Sequence, residues 1–96
     1  MLNTQHLMTF KVLVETGSFT KTAARLGLTQ PAVSQHIQKL EKDLKEPLLV
    51  RHGRTTAITS AGTLLLQHIE ELEACCGRFK NIWHAFLNNE KDVPEA

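Results

Sequence analysis

The sequence predicts a mainly α-helical fold, a winged helix-turn-helix of three helices and a two-stranded wing, followed by a long dimerisation helix. Apolar residues recur at helical spacing in four segments, and a short turn containing a glycine joins the second segment to the third. A short β-permissive stretch separates the third segment from a much longer fourth one. The predicted division is 1–58 for the winged domain, 59–89 for the long helix and 90–96 for a hinge or frayed tail.

The limits of the first two helices are predicted from capping residues. Asn3 or Thr4 is a suitable N-cap for the first helix, which stops at Gly17. Ser18 then caps a second, shorter helix that runs to Leu26. The second helix, the short turn after it and the third helix together favour a helix-turn-helix. An ordinary helical hairpin in a small bundle is the alternative.

The third helix begins with Thr29 as its N-cap and has Pro31 in its first turn, where the missing N–H costs nothing. Four apolar residues fall within about 60° of one another on a helical wheel, and they predict the buried stripe. These residues are Val33, Ile37, Leu40 and Leu44.

The wing is predicted from residues 49–51 and 56–58, which are short and β-permissive. A turn containing Gly53 lies between them, with Arg51 and Arg54 at its edges. A simple loop is the alternative.

The fourth helix is predicted from the N-cap Thr59 to about Asn88, and its length of roughly 45 Å is too great to pack entirely on so small a domain. Its apolar residues are spaced alternately four and three apart, which is typical of a coiled-coil seam. We therefore expect this seam to pair with a second copy of the chain. The predicted dimer interface comprises Leu65, Ile69, Leu72, Cys76, Phe79, Trp83 and Phe86.

Composition and charge limit the classes of function. Of the 96 residues, 42% are hydrophobic and 22% charged, as in a globular domain. Residues 1–58 carry eight basic and four acidic residues, a net +4, and residues 59–96 carry three and six, a net −3, which together give +1. The first half is therefore suited to a polyanion.

The absence of a bilayer-length apolar run and of a signal peptide predicts a soluble cytoplasmic protein. The adjacent Cys75 and Cys76 fit a reducing compartment.

The outward face of the third helix has amides, a hydroxyl and lysines, with no carboxylate at its centre. Glutamine can bond bidentately to adenine, lysine can reach phosphate or guanine, and small apolar groups can contact thymine methyls. The predicted DNA-binding residues of this helix are Gln30, Pro31, Ala32, Ser34, Gln35, Gln38, Lys39 and Lys42. In the wing, Arg54 suits the minor groove and Arg51 suits phosphate. A merely solvated polar face and generic surface arginines are the alternatives.

Two segments, "FKVLVETGSFTKTAARLGLTQPAVSQHIQKLEKDL" and "PLLVRHGRTTAITSAGTLLL", resemble the N-terminal winged helix-turn-helix domain of LysR-type transcriptional regulators. The match runs from about Leu7 to Leu66 and continues as the family's linker helix to about residue 88. It includes "GSF" at 17–19, "TQPAVS" at 29–34 and "AG" at 61–62.

The resemblance implies a bacterial regulator that binds an interrupted palindrome in double-stranded DNA as a homodimer. It implies that the two long helices pair antiparallel, and it allows a tetramer in a full-length protein. It places groove contacts on Gln30, Pro31, Ala32, Ser34 and Gln35 and the minor-groove arginine on Arg54. Ser18 and Thr20 are similar to the family's backbone-phosphate positions. The protein is expected to associate with the nucleoid when bound to DNA.

Four departures from the family pattern affect these expectations. Gln35 stands where many members have Arg, which favours adenine over guanine. Lys45 replaces a common Gly and Leu49 a common Phe, so the wing is expected to meet the domain at a different angle. The effector-sensing domain has no counterpart here, and the chain is expected to be the DNA-binding portion alone.

Metal binding and catalysis are not favoured by the sequence. A dimer could bring together His68 and Cys75 from each chain, but "CC" lacks the spacing of structural zinc sites. No nucleophile–base pair or phosphate-binding loop is present in the sequence. We expect a non-enzymatic protein with no cofactor and no metal, and sequence-specific DNA binding is the leading hypothesis. A protein-interaction module that captures a regulator's subunit is the second, and the basic first half argues against it.

Overall fold

The computed structural model describes residues 2–52 and 55–90, for Glu90 the backbone alone. Three helices come first, α1 (Thr4–Thr16), α2 (Phe19–Leu26) and α3 (Gln30–Leu44). Two strands follow, β1 (Leu49–His52) and β2 (Thr55–Ile58), and then the long helix α4 (Ser60–Ala85). A π-helical segment, Phe86–Glu90, extends α4. The predicted winged helix-turn-helix with a long following helix is confirmed.

Each of the four α-helices begins at a predicted N-cap whose side chain accepts a backbone hydrogen bond. Asn3 Oδ1 accepts from the N–H of His6 at 3.1 Å, and Ser18 Oγ from that of Lys21 at 3.1 Å. The caps of the other two are Thr29, at 3.2 Å from Ala32 N, and Thr59, at 3.0 Å from Gly62 N. These bonds satisfy amides that have no partner within the helix, so the helix starts are set locally.

The first three helices each end in a residue with left-handed backbone geometry. Gly17 and Gly27 do so with a φ of 68°, which glycine adopts without steric cost. Lys45 ends α3 with a φ of 58° and is the one non-glycine residue with positive φ in the described part of the chain. The departure noted at Lys45 therefore falls on a backbone position that favours glycine.

The core lies between α1, α3, the start of β1 and the first half of α4. Its buried residues are Leu7, Phe10, Leu13, Ile37, Leu40, Leu48, Leu65 and Ile69. Val33 is also fully buried, so three of the four residues in the predicted α3 stripe are confirmed. The prediction for Leu44 is wrong, because its side chain is 38% exposed. Leu44 is the last residue of α3 and lines a surface groove with Leu2 and Leu64 instead.

The two strands form an antiparallel hairpin, in which Leu49 pairs with Ile58 and His52 with Thr55. This confirms the predicted two-stranded wing, each strand being one residue longer than expected. The tip of the wing, with the predicted contact Arg54, lies outside the described residues.

The first turns of α4 belong to the same core as the three preceding helices. Leu65 is 6% exposed and Ile69 1%, and both pack with residues of α1 and α3. An ion pair between Lys11 Nζ and Glu73 Oε1, 2.7 Å apart, fixes α4 against α1 on the same side. The predicted dimer seam needs correction here, because Leu65 and Ile69 are already covered by their own chain. None of the described helices is long and apolar enough to cross a membrane.

Candidate nucleic-acid interface

The outer face of α3 is available to a ligand over its full length. Six of the eight predicted contact residues on α3 are exposed, namely Gln30, Pro31, Gln35, Gln38, Lys39 and Lys42. Ala32 and Ser34 are half-buried at the edges of this face. The opposite side holds the helix to the domain through Val33, Ile37 and Leu40. Because the anchoring and exposed residues are on different sides, ligand contact at the outer face does not require the core to open.

The start of α2 is held in place by a small network of hydroxyl groups. The buried Thr22 donates to the carbonyl of Ser18 at 2.8 Å, and its Oγ1 lies 2.8 Å from Thr16 Oγ1. The Ser18 side chain is engaged as the N-cap, whereas Thr20 is exposed. Of the two residues predicted here, Thr20 presents a free surface and Ser18 shapes the helix start.

A groove brings the wing together with α2 and α3. Among its lining residues are Phe19 at the start of α2, Ser34 and Gln38 on α3, and Arg51 on β1. The Arg51 guanidinium carbon lies 5.2 Å from the centre of the Phe19 ring, within the range of a cation–π contact. This contact holds an exposed positive charge next to the polar face of α3. The role of Phe19 was not predicted, although it is the aromatic residue of the "GSF" segment.

Glu41 is a second residue of this region whose role the sequence did not predict. Its Oε2 accepts the backbone N–H of Leu48 at 2.7 Å and that of Leu49 at 3.4 Å. The amides of Leu48, just before β1, and of Leu49, its first residue, therefore share one carboxylate of α3, and the wing is attached to the helix through it. The bonds also direct this negative charge towards backbone amides.

A pair of histidines lies where α1 packs against α3. His36 Nδ1 is 2.8 Å from Thr9 Oγ1, which in turn donates to the carbonyl of Gln5 at 3.0 Å. The His6 and His36 rings are 4.5 Å apart between centres. Burial lowers the pKa of His36 below its ordinary value, and the charges of His6 and Lys39 lower it further. The described part of the chain contains no group of three or more His, Cys, Asp or Glu side chains that could hold a metal ion.

The family model for the bacterial regulatory helix-turn-helix protein of the lysR family matches residues 4–63, which is most of the chain. The chain belongs to the LysR family. The matched residues extend from the first residue of α1 to the first turn of α4, so they include α3, Phe19, Glu41 and Arg51.

Several named transcriptional regulators are similar to the chain over about three quarters of its length. A probable RuBisCO transcriptional regulator of Chlorokybus atmophyticus is 43% identical over 70 residues, which are 73% of this chain and 22% of that protein. The uncharacterized HTH-type transcriptional regulator YxjO of Bacillus subtilis is 44% identical over 66 residues, 69% of this chain and 23% of that one. The chain thus spans about a fifth of the length of the curated relatives it matches.

Among solved structures, the LysR-family fold agrees with that of the protein in the BenM_DBD/catB site 1 DNA complex. The TM-score is 0.82 at 31% identity, and the alignment covers 91% of this chain and 97% of the other. The described residues therefore have the architecture of a LysR DNA-binding domain together with its long helix.

Proposed function

We propose that this LysR-family chain binds double-stranded DNA sequence-specifically, as the DNA-binding portion of a transcriptional regulator. The observation that carries the proposal is the exposed face of α3, where glutamines and lysines adjoin Arg51 and no free carboxylate lies at the centre. The DNA complex formed by the structural relative supports it. The basic first half of the chain supplies the charge.

The residues divide the work of affinity and specificity between them. Gln30, Gln35 and Gln38 are amides able to read base edges, with Pro31, Ala32 and Ser34 beside them. Lys39, Lys42 and Arg51 supply phosphate contacts, and Thr20 adds a hydroxyl at the start of α2, where Ser18 caps the helix. Arg54 is proposed to enter the minor groove next to the wing.

The proposal includes a homodimer on an interrupted palindromic operator, formed through the long helix. Half-sites on one face of DNA need two copies of the α3 face related by a twofold axis. The exposed apolar side chains of α4 support this pairing, among them Phe79 at 61% and Ile82 at 67% exposure. Such a regulator acts in the bacterial cytoplasm, on the nucleoid.

Two α3 substitutions test the proposal with DNA selected from a random duplex pool. Gln35→Ala is expected to reduce discrimination between the selected site and a variant in one base pair by about 1–3 kcal/mol, with little change on random DNA. Lys42→Ala is expected to weaken binding to every duplex about equally and to lower the salt slope by about 1. Fluorescence anisotropy across a salt series measures both.

Lys80→Ala is the matched control, since Lys80 is an exposed lysine on α4, away from the proposed interface. Its affinity and salt slope should equal those of the wild type. If Gln35→Ala lowers the affinity for selected and random DNA equally, Gln35 does not contribute to base recognition. If the chain binds no duplex at low salt, the proposed function is wrong.

A further inference from the structure

A single side-chain hydrogen bond joins α1 to α3 in the described part of the chain. Thr9 Oγ1 lies 2.8 Å from His36 Nδ1, and Thr9 is fully buried whereas His36 is half-buried. The His6 ring of α1 lies next to the same histidine, 4.5 Å away between ring centres. His36 directly follows Gln35 in the sequence, so the contact reaches α3 within the segment proposed to read bases.

The direction of this hydrogen bond follows from the second partner of Thr9. The threonine hydroxyl has one proton, which it donates to the carbonyl of Gln5 at 3.0 Å. In the bond to His36, the imidazole Nδ1–H is therefore the donor and the Thr9 oxygen the acceptor. The hydroxyl is thus satisfied twice, once within its own helix and once by α3.

The other contacts that hold α3 to the domain are mainly apolar. Val33, Ile37 and Leu40 are buried, and apolar contacts of this kind are favourable in any direction. A hydrogen bond, in contrast, needs its donor and acceptor within narrow limits of distance and angle. A buried polar contact with all its partners satisfied therefore selects one arrangement among those that apolar packing allows.

Among the described residues, one other side chain of α3 forms hydrogen bonds to a different element. Glu41 accepts the amides of Leu48 and Leu49 at the root of the wing. On a helical wheel His36 and Glu41 lie about 140° apart, on opposite flanks of the buried stripe. Together they oppose rotation of α3 about its axis, and His36 is the nearer of the two to Gln35 in sequence.

Base reading and phosphate binding differ in how much displacement they tolerate. Hydrogen bonds from Gln35 to a base edge need the side chain within about 0.5 Å and 10–20° of the productive geometry. Lys42 reaches phosphate through a flexible four-carbon stem, which absorbs a small shift of its helix. A small rotation of α3 is therefore expected to lower discrimination between sequences and to leave general affinity unchanged.

We infer that Thr9 is a positioning residue for base recognition, because its bond to His36 fixes the rotation of α3 and so orients Gln35. This rests on the proposed DNA binding and adds to it a residue of α1. Thr9 is fully buried, so it acts through α3 and not by touching DNA.

Thr9→Val in the full 96-residue chain tests the inference, since it removes the hydroxyl and keeps the shape of the side chain. The ratio of affinities for the selected site and its single-base-pair variants is expected to fall about three- to tenfold. Affinity for random DNA and the salt slope should stay at the wild-type values, because no charge changes. Thr9→Ser keeps the hydroxyl and should restore discrimination. Fluorescence anisotropy measures all four quantities.

Thr22→Val is the matched control, since Thr22 is equally buried and its hydroxyl lies 2.8 Å from Thr16 of α1, not next to α3. Its discrimination ratio should equal that of the wild type even where its stability falls. His36→Leu breaks the bond to Thr9 from the half-buried end and should lose discrimination as Thr9→Val does, which keeps the test available if the valine variant does not fold. Equal losses for Thr9→Val and Thr22→Val would overturn the inference.

Residual dipolar couplings of the free chain measure the orientation of α3 relative to α1 without DNA. Thr9→Val is expected to change this orientation, and Thr22→Val to leave it as in the wild type. An unchanged orientation or undiminished discrimination in Thr9→Val would overturn the positioning role and leave the proposed DNA binding standing. A wild-type chain that binds no duplex would overturn the proposed function and, with it, the role of Thr9 in base recognition.

Discussion

At the scale of single residues, one glycine sets how closely the wing approaches α4. A Cβ at Gly62 would collide with the Leu48 carbonyl oxygen and lie 2.7 Å from Ile58 Cγ1. Thr59 forms two hydrogen bonds next to this contact. Its hydroxyl donates to the Pro47 carbonyl at 2.7 Å, and its N–H donates to the Leu48 carbonyl at 3.0 Å. The backbone obstacle cannot rotate away as a side chain could.

Gly62→Ala is therefore expected to lower the free energy of unfolding by about 1–3 kcal/mol through overpacking. Gly77→Ala is the matched control in the same helix, since a Cβ there meets no atom within 4 Å. Alanine should stabilise the helix at that position by about 0.5–1 kcal/mol. Urea unfolding at one fixed protein concentration compares the two, and an equal effect of both substitutions would contradict the packing argument.

At the scale of elements, the attachment of the wing to α3 depends on one carboxylate. Leu48 is fully buried, and its N–H donates to Glu41 Oε2 at 2.7 Å. In the described part of the chain the sheet consists of the two hairpin strands alone, so the hairpin relies on such contacts for its position. Since Arg51 is on the hairpin, the position of its charge next to α3 depends on the same bond.

Glu41→Ala is expected to lower the free energy of unfolding by about 1.5–3 kcal/mol, because a buried amide loses a charged acceptor. DNA affinity should fall as well, through displacement of the wing. Asp43→Ala is the control, an exposed carboxylate on the same helix, and should change stability by no more than about 0.5 kcal/mol. Thermal unfolding and anisotropy measure the two effects. A Glu41→Ala variant as stable as Asp43→Ala would show that the anchor is unimportant.

At the scale of the whole molecule, a compact domain stands at one end of a long helix. The molecule measures 61 × 26 × 18 Å, and α4 supplies the long dimension. The exposed face of α3 and the exposed apolar side chains of α4 belong to different helices, so they are separate surfaces. In the domain, α1 packs against α3, and His36 lies against Thr9 at that contact.

The stability of the whole domain is expected to fall as the pH drops below the ordinary histidine pKa of 6.5. The pKa of His36 is lower in the folded chain, first because of burial and then because of His6 and Lys39. Between the pKa of His36 in the unfolded chain and its lower pKa in the folded chain, the unfolded chain binds more protons. The contribution of His36 to the free energy of unfolding is therefore complete above pH 6.5 and is lost as the pH falls towards the pKa of the folded chain. Urea unfolding from pH 7.5 to 5.0 measures this slope. His36→Gln should reduce the slope, and an unchanged slope would assign it to other groups.

The limits of the helices and the apolar side of α3 follow from the sequence alone. N-caps such as Ser18 and Thr29, and the left-handed Gly17, act within a few residues, so their effects follow from local hydrogen bonding. The exposed amides and lysines of α3 follow in the same way, since helical periodicity places them opposite Val33 and Ile37.

Which neighbour each apolar or charged residue meets depends on tertiary packing. Periodicity identified an apolar seam on α4, but packing within the domain covered Leu65 and Ile69 and left other apolar side chains of the helix exposed, such as Leu64 and Ile82. Packing likewise left Leu44 exposed and directed Glu41 to the wing. Periodicity describes one helix, whereas burial depends on segments distant in sequence. The physical reason is that a helix has one apolar pattern but can have two neighbours.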